Sequence, residues 1–136
     1  MSPPASRFED PTCAVTPFET IPPNDVVAWQ SAEWQRAAAG VWAHPYFDSY
    51  DPGNSGFRGS DPGVKILWWV EAPGDLAIVL GVDSLSGTYK DGVKVDSPGA
   101  LRHDRPTGFS MPPPGCYRIS ITLGRTQGSI IDRVLR

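Results

Sequence analysis

Regular alternation of apolar and polar residues is clearest near the C-terminus. Between residues 116 and 123 every second position is apolar, namely Tyr117, Ile119, Ile121 and Leu123, and the positions between them are polar, namely Arg118, Ser120 and Thr122. Because neighbouring side chains of a strand point to opposite faces, this pattern predicts a strand with one buried and one solvated face, which is typical of an antiparallel sheet. Residues 124–127 predict a turn and residues 128–135 a returning strand.

Two more hairpins are predicted upstream. Residues 65–71 are predicted to form a strand, followed by a Pro-Gly turn at 72–75 and by residues 76–82, in which Leu76, Ile78, Leu80 and Val82 alternate. Residues 87–90 and 93–95 flank Asp91–Gly92, a pair that favours the type I′ hairpin turn because both turn residues need positive φ. A loop over 96–106 then leads to a short strand at 107–111.

The N-terminal half has weaker patterns. Residues 1–12 are expected to form an irregular arm, and residues 13–16 a short strand. Good helix formers fill residues 30–39 and stop at Gly40, which predicts one or two helical turns. The alternative for this segment is a loop followed by a strand at 41–43. Residues 44–63, rich in proline, glycine and aromatic residues, are expected to form a long ordered loop.

These elements predict an all-β fold, specifically an immunoglobulin-like antiparallel β-sandwich of about seven strands with at most one short helix. The chain of 136 residues suits one domain, expected over residues 13–136. Its 15 prolines and 14 glycines favour short strands joined by tight turns, and the accompanying aromatic residues argue against disorder. "Immunoglobulin-like" describes architecture only, because the spacing of cysteine and tryptophan in antibody domains is missing.

Two cysteines, Cys13 and Cys116, lie near opposite ends of the chain, and neither belongs to a CxxC pair. We expect a disulfide between them, which implies an oxidising compartment; the alternative is two free thiols. The first residues lack the charged and apolar regions of a signal peptide. Because the expected disulfide favours an oxidising compartment, we nevertheless expect an extracytoplasmic protein whose sequence here begins after its export signal. A cytoplasmic protein is the alternative.

The charge pattern limits the expected partners. The net charge is −3 and there is no run of like charges, so we expect neither nucleic-acid binding nor a basic membrane anchor. No apolar stretch approaches the roughly 20 residues that span a bilayer, so no transmembrane segment is expected.

One part of the sequence resembles a known group. Residues 112–117 read Pro-Pro-Pro-Gly-Cys-Tyr before the alternating strand, and residues 65–70 read Lys-Ile-Leu-Trp-Trp-Val. Both segments are similar to small, uncharacterised bacterial secreted or lipoprotein-type β-sandwich proteins, over residues 64–136. The resemblance implies a sandwich fold and an extracytoplasmic location, and it implies no activity.

The sequence contains no catalytic constellation, so we expect neither an enzyme nor a cofactor. His103, Asp104 and Ser110 invite comparison with a hydrolase triad, but Ser110 lacks the Gly-x-Ser-x-Gly context. His44 is expected to pack rather than to bind metal. Asp48, Asp51 and Asn54 carry oxygen ligands at close spacing, which leaves calcium open, but the spacing differs from an EF-hand and an ordinary turn is favoured.

Candidate binding residues are aromatic. They are Trp42, Tyr46, Phe47, Tyr50 and Phe57 in the Pro/Gly-rich segment, together with Trp68 and Trp69, whose adjacent rings must face opposite sides of a strand. We expect a non-enzymatic module for protein interaction or envelope structure. A carbohydrate or small-ligand binding domain using residues 42–58 is the alternative. A proteinase-inhibitor-like module that inserts residues 44–63 or 96–106 is the second alternative.

Overall fold

The computed structural model describes residues 13–19, 34–46, 49–71, 78–85, 87–95 and 104–136. Within these residues there is no helix and there are eleven strands: β1 (Phe18–Glu19), β2 (Trp34–Ala38), β3 (Val41–Pro45), β4 (Tyr50–Asp51), β5 (Gly56–Arg58), β6 (Gly63–Val70), β7 (Ile78–Ser84), β8 (Lys90–Val95), β9 (Asp104–Ser110), β10 (Gly115–Leu123) and β11 (Thr126–Leu135).

The strands form two sheets that pack as a sandwich. One sheet has five strands in the order β1-β2-β3-β6-β9, and the other has six in the order β4-β5-β11-β10-β7-β8. Neighbours are antiparallel except β5 and β11, which run parallel. The predicted all-β sandwich is therefore confirmed, with eleven strands in the described residues rather than about seven.

The main core lies between the two sheets. Every second residue of β3, β6 and β10 points into it, and its largest members include Ile66, Trp68, Leu80, Ile121 and Ile130. Alternation along β10 is as predicted, because Tyr117, Ile119, Ile121 and Leu123 are all buried while Arg118 is exposed. Burial of these side chains is the main force that holds the sheets face to face.

A second apolar cluster lies on the opposite face of the five-stranded sheet. Trp34, Trp42, Leu67 and Trp69 form it, and each is no more than 6 % exposed. Trp42 and Trp69 are paired in register on β3 and β6, so their rings stand side by side on this face. This sheet is thus buried on both faces at these positions, which explains the continuous apolar run at 66–70.

The helix predicted at residues 30–39 is wrong where the structure describes it. Residues 34–38 form β2, which is joined to β3 by a turn at Ala39 and Gly40. Gly40 has φ of 77° and serves this turn, rather than ending a helix. The alternative strand at 41–43 is confirmed as part of β3. Tertiary packing overrides helix propensity here, because Trp34 and Gln35 are both buried, on opposite faces of the strand.

Both internal hairpins were predicted with the wrong partners. The segment predicted to pair with residues 76–82 is β6, which pairs instead with β3 and β9, while β7 belongs to the other sheet. The chain therefore crosses between sheets after residue 71. Asp91–Gly92 lies within β8, opposite Val82 and Gly81 of β7, so it is not a hairpin turn. The hairpin that does form joins β7 to β8.

The other predicted strands are partly confirmed. The closing hairpin is confirmed, with β10 and β11 paired from Gly115↔Val134 to Leu123↔Thr126. The strand expected at 107–111 is present and begins earlier, as β9. Residues 13–16 form no strand; they follow the edge of β11 before β1 begins. The arm at 1–12 and the turn at 72–75 lie outside the described residues.

The disulfide between Cys13 and Cys116 is confirmed, with the two Cα atoms 5.7 Å apart. Thr16 adds three contacts: its N–H donates to the carbonyl of Ile131, its Oγ1 accepts from the Ile131 N–H, and its carbonyl accepts from Gln35 Nε2. The segment 13–19 therefore crosses from the six-stranded sheet to the five-stranded one, where β1 pairs with β2. No helix in the described ranges is long and apolar enough to cross a membrane.

Candidate ligand-binding site

The aromatic residues predicted to bind do not share one surface. Trp42 and Trp69 belong to the tryptophan cluster outside the five-stranded sheet, with Tyr46 half-buried beside them. Tyr50, Phe57 and Trp68 lie in the core between the sheets, each 0 % exposed. Phe47 lies outside the described residues. The six described rings thus form two groups on opposite faces of the five-stranded sheet. A binding role for them stays a prediction, and the low solvent exposure of these rings does not support it.

The candidate calcium residues are arranged as a turn. Asp51 Oδ1 accepts from the Gly53 N–H at 3.0 Å, and Asp51 Oδ2 accepts from Asn54 Nδ2 at 2.8 Å. These hydrogen bonds lower the pKa of Asp51 below its usual value, and the bond from Asn54 has the largest effect. Asn54 therefore presents its amide donor to Asp51, and the described residues contain no group of three or more metal ligands. Asp48 lies outside the described residues.

The residues compared with a triad are not assembled as one. Ser110 is exposed at the end of β9, and His103 lies outside the described residues. His44 is buried among aromatic rings, with its centroid 5.4 Å from that of Trp34 and 6.2 Å from that of Tyr46. This placement fits the packing role that the sequence favoured for His44.

A cleft of about 580 Å³ opens at the end of the sandwich where β6 begins and β9 ends. We call it the corner cleft. Its walls come from three separate parts of the chain: Ser49, then Asp61, Pro62, Gly63 and Lys65, then Phe109 and Ser110. Its volume falls in the range of small-molecule sites, which is roughly 300–1,000 Å³.

Backbone hydrogen bonds fix the frame of the corner cleft. The Tyr46 N–H donates to the carbonyl of Lys65 at 3.0 Å, and the Arg58 N–H donates to the carbonyl of Ser49 at 2.8 Å. Tyr46 is thereby tied to β6 of the five-stranded sheet, and Ser49 to β5 of the six-stranded sheet. On the other side, the Met111 N–H donates to the carbonyl of Pro62 at 3.2 Å. The walls are therefore positioned by the sandwich itself, as a preorganised site requires.

The side chains of the cleft offer mixed chemistry. Asp61 brings a carboxylate, and its Oδ2 is buried without a hydrogen-bond partner among the described residues. Lys65 brings an ammonium group from an exposed position on β6, and Ser110 an exposed hydroxyl group. Ser49 donates its hydroxyl to the carbonyl of Tyr46, so its oxygen can accept a further bond. Phe109 is half-buried and adds an aromatic face.

Sequence analysis considered Ser110 only as part of a triad, which it did not favour, and it did not single out Asp61, Lys65 or Phe109 as candidate site residues. The register Val64↔Phe109 and Gly63↔Ser110 brings residues 61–65 beside residues 109–110. The β6–β9 pairing was not predicted, because sequence analysis paired residues 65–71 with residues 76–82 instead. The available signal was the second Asp-Pro-Gly sequence, at 61–63, which leads into β6 and is followed by the charged residue Lys65.

Comparison with known proteins gives no relative from which a role can be transferred. No protein-family model, no curated protein and no solved structure matches this chain.

Proposed function

We propose that this protein is a non-enzymatic, extracytoplasmic β-sandwich module that binds a small, hydroxyl-rich ligand of the carbohydrate class in the corner cleft. The observation that carries the proposal is the meeting of Asp61, Lys65, Ser110 and Phe109 around one opening of about 580 Å³. Aromatic, charged and hydroxyl side chains converge there, as they do in sites that orient a small polar ligand.

The donor and acceptor types favour a polyhydroxylated ligand. A carboxylate accepts hydrogen bonds only, so Asp61 in the wall of the cleft matches the hydroxyl donors of such a ligand. An ammonium group donates only, so Lys65 matches the oxygen lone pairs of the same kind of ligand. The ring of Phe109 suits the apolar C–H face that a sugar also presents.

Binding is favoured over glycoside hydrolysis by the number of carboxylates. Both common hydrolytic mechanisms place two carboxyl groups on either side of the scissile bond. Among the described residues that line the corner cleft, Asp61 is the single carboxylate. This composition supports retention of a ligand rather than its cleavage.

The disulfide supports the proposed location. A bridge between Cys13 and Cys116 is compatible with an extracytoplasmic protein, because thiols in the cytosol are generally kept reduced. Secretion or attachment to the cell envelope is the finer proposal. An immunoglobulin-like strand arrangement is proposed as well, supported by the crossing of residues 13–19 between the sheets.

The test is a carbohydrate binding screen followed by titration of variants. We expect Asp61→Asn and Lys65→Met each to weaken binding of the selected sugar about tenfold or more, because a hydrogen bond to a charged group contributes about 1.5–3 kcal/mol. Asp91→Asn is the matched control, since Asp91 is exposed on β8, away from the cleft. Unchanged affinity in both cleft variants, with folding intact, would contradict the proposal.

Protein contact through the outer edge of the six-stranded sheet is the second candidate. Val79 and Leu85 are the large apolar side chains that are exposed in the described residues, at 46 % and 44 %. Both belong to or directly follow β7, next to β8, the last described strand of this sheet. A strand edge flanked by exposed apolar side chains is a common contact surface for another protein.

A further inference from the structure

A buried polar cluster joins the two sheets at Asp132, inside an otherwise apolar core. Asp132 lies on β11 and is 1 % exposed. Its Oδ1 accepts from Gln35 Nε2 of β2 at 3.1 Å and from the Tyr50 hydroxyl of β4 at 3.0 Å. Gln35 Nε2 also donates to the carbonyl of Thr16 at 3.0 Å. One carboxyl group thus links β11, β2 and β4, and Gln35 extends the link to the crossing segment 13–19.

Two acceptor atoms in this cluster lack a donor. Asp132 Oδ2 and Gln35 Oε1 are both buried, and neither has a hydrogen-bond partner among the described residues. The two atoms belong to side chains that are already bonded to each other through Asp132 Oδ1 and Gln35 Nε2. A proton on Asp132 Oδ2 would turn this unpartnered acceptor into a donor, and the Gln35 carbonyl is the other unpartnered acceptor of the same cluster. Acid and amide would then form a reciprocal pair.

The titratable and polar side chains that face Asp132 are two phenols and an amide, which are uncharged near neutral pH. Tyr50 faces it from β4, and the pKa of this phenol is raised, first by burial and then by Asp132. Tyr117 of β10 is in register with Asp132, and burial raises its pKa as well. Gln35 of β2 is uncharged. Arg133, the next residue of β11, is the nearest cation in sequence, and its Nε is buried without a partner among the described residues.

We propose that Asp132 is an acid-stabilised lock: protonated, it ties the crossing segment and both sheets together, and its ionisation loosens that junction. Burial raises the pKa of Asp132 to about 7, with the hydrogen bonds from Gln35 and Tyr50 opposing the rise. The lock is therefore closed in mildly acidic surroundings and weakens toward alkaline pH. It is independent of the proposed ligand cleft.

The sign of the pH effect follows from the raised pKa. Between pH 3.8, the ordinary pKa of an aspartate, and pH 7, the approximate pKa of Asp132 in the fold, the folded state holds a proton that the unfolded state has lost. The unfolding equilibrium constant then rises with pH, by up to about tenfold per pH unit. The contribution of Asp132 to the free energy of unfolding is therefore fully present below about pH 4, falls between pH 4 and 7, and is lost above about pH 7.

The test compares denaturant unfolding of the wild type and Asp132→Asn from pH 4 to 8.5. Asparagine keeps an acceptor for Gln35 and Tyr50 and places an amide donor where the proton would sit. We expect the wild type to lose stability as pH rises, and the variant to lack this loss and to be the more stable protein at pH 8. Asp91→Asn, at an exposed carboxylate, should keep the wild-type profile.

If the variant does not fold, the ionisation of Asp132 can still be measured directly in the wild-type protein. The carbon-13 chemical shift of the Asp132 side chain, followed in the wild type, should titrate near pH 7, and exchange of the Ile131 amide hydrogen should accelerate above that pH by more than the intrinsic chemical rate. An Asp132 carboxyl that is already ionised at pH 5, or identical pH profiles for wild type and Asp132→Asn, would overturn the proposal.

Discussion

Thr107 shows how one hydroxyl group holds two strands of the five-stranded sheet. Its Oγ1 accepts from the indole Nε1 of Trp68 at 3.0 Å and donates to the carbonyl of Ile66 at 3.1 Å. Trp68 is among the largest side chains of the core, and a buried indole N–H is costly when it has no acceptor. Thr107 therefore makes the tryptophan compatible with an apolar interior.

We expect Thr107→Val to lower the free energy of unfolding by about 1–3 kcal/mol, although valine has nearly the same shape, because the Trp68 N–H loses its acceptor. Thr107→Ser should retain most of the stability. Thr122→Val, on the half-exposed face of β10, is the matched control and should change little. Denaturant unfolding measures all three, and equal values for Thr107→Val and Thr122→Val would contradict this role.

Two glycines, one in a turn and one in a strand, differ in how far the fold depends on the absence of a side chain. Gly124 joins β10 to β11 with φ of 62°, a conformation that side chains other than glycine adopt at a cost. Gly92 lies in β8, and a Cβ built there meets nothing within 4 Å. A type I′ turn at Asp91–Gly92 would have required positive φ at both residues.

We therefore expect Gly124→Ala to destabilise the protein by about 1–2 kcal/mol. Gly92→Ala should be neutral or stabilising by up to about 1 kcal/mol, because alanine loses less conformational freedom in a strand. Thermal unfolding of the two variants measures the difference. A strong destabilisation by Gly92→Ala would instead support the hairpin turn.

Elements were predictable from sequence where their contacts are local. The β10–β11 hairpin was predicted because its alternation, its turn and its partner all lie within residues 115–135. The strand β2 was not, because its buried Gln35 bonds Asp132, 97 residues away, and helix propensity was the local signal. Likewise, nothing within residues 63–82 indicates that β6 and β7 belong to different sheets.

At the scale of the whole molecule, the disulfide closes a loop that contains most of the chain. Cys13 and Cys116 are 103 residues apart and both are buried. Such a loop restricts the unfolded chain, and the bridge also anchors the segment that crosses between the sheets. This bridge was predictable because the chain has two cysteines and no metal-binding spacing.

We expect removal of the bridge, by reductant or by Cys13→Ala with Cys116→Ala, to lower the free energy of unfolding by about 2–5 kcal/mol. The double variant should be insensitive to reductant, which is the control for side effects of the reagent. Thiol titration of the denatured, unreduced wild type should find no reactive thiol. Two reactive thiols would contradict both the bridge and the proposed compartment.

The corner cleft was not predictable from sequence for the same reason as β2. Its walls are assembled from residue 49, residues 61–65 and residues 109–110, which only the β6–β9 register and the backbone hydrogen bonds of Tyr46 and Ser49 to the two sheets bring together. The aromatic residues singled out from sequence were conspicuous by type, yet ring type alone does not distinguish a core position from a surface one.

Residue-specific NMR titration with the carbohydrate selected by the binding screen tests the proposed function most directly. We predict that amide shifts will concentrate at Ser49, Asp61, Gly63, Lys65 and Ser110, and that they will be lost in Asp61→Asn. Shifts centred on Trp42 and Trp69 would contradict the corner cleft as the site, and the absence of shifts with every carbohydrate tried would contradict the ligand class. A response confined to Val79 and Leu85 on addition of a protein partner would favour the edge of the six-stranded sheet instead.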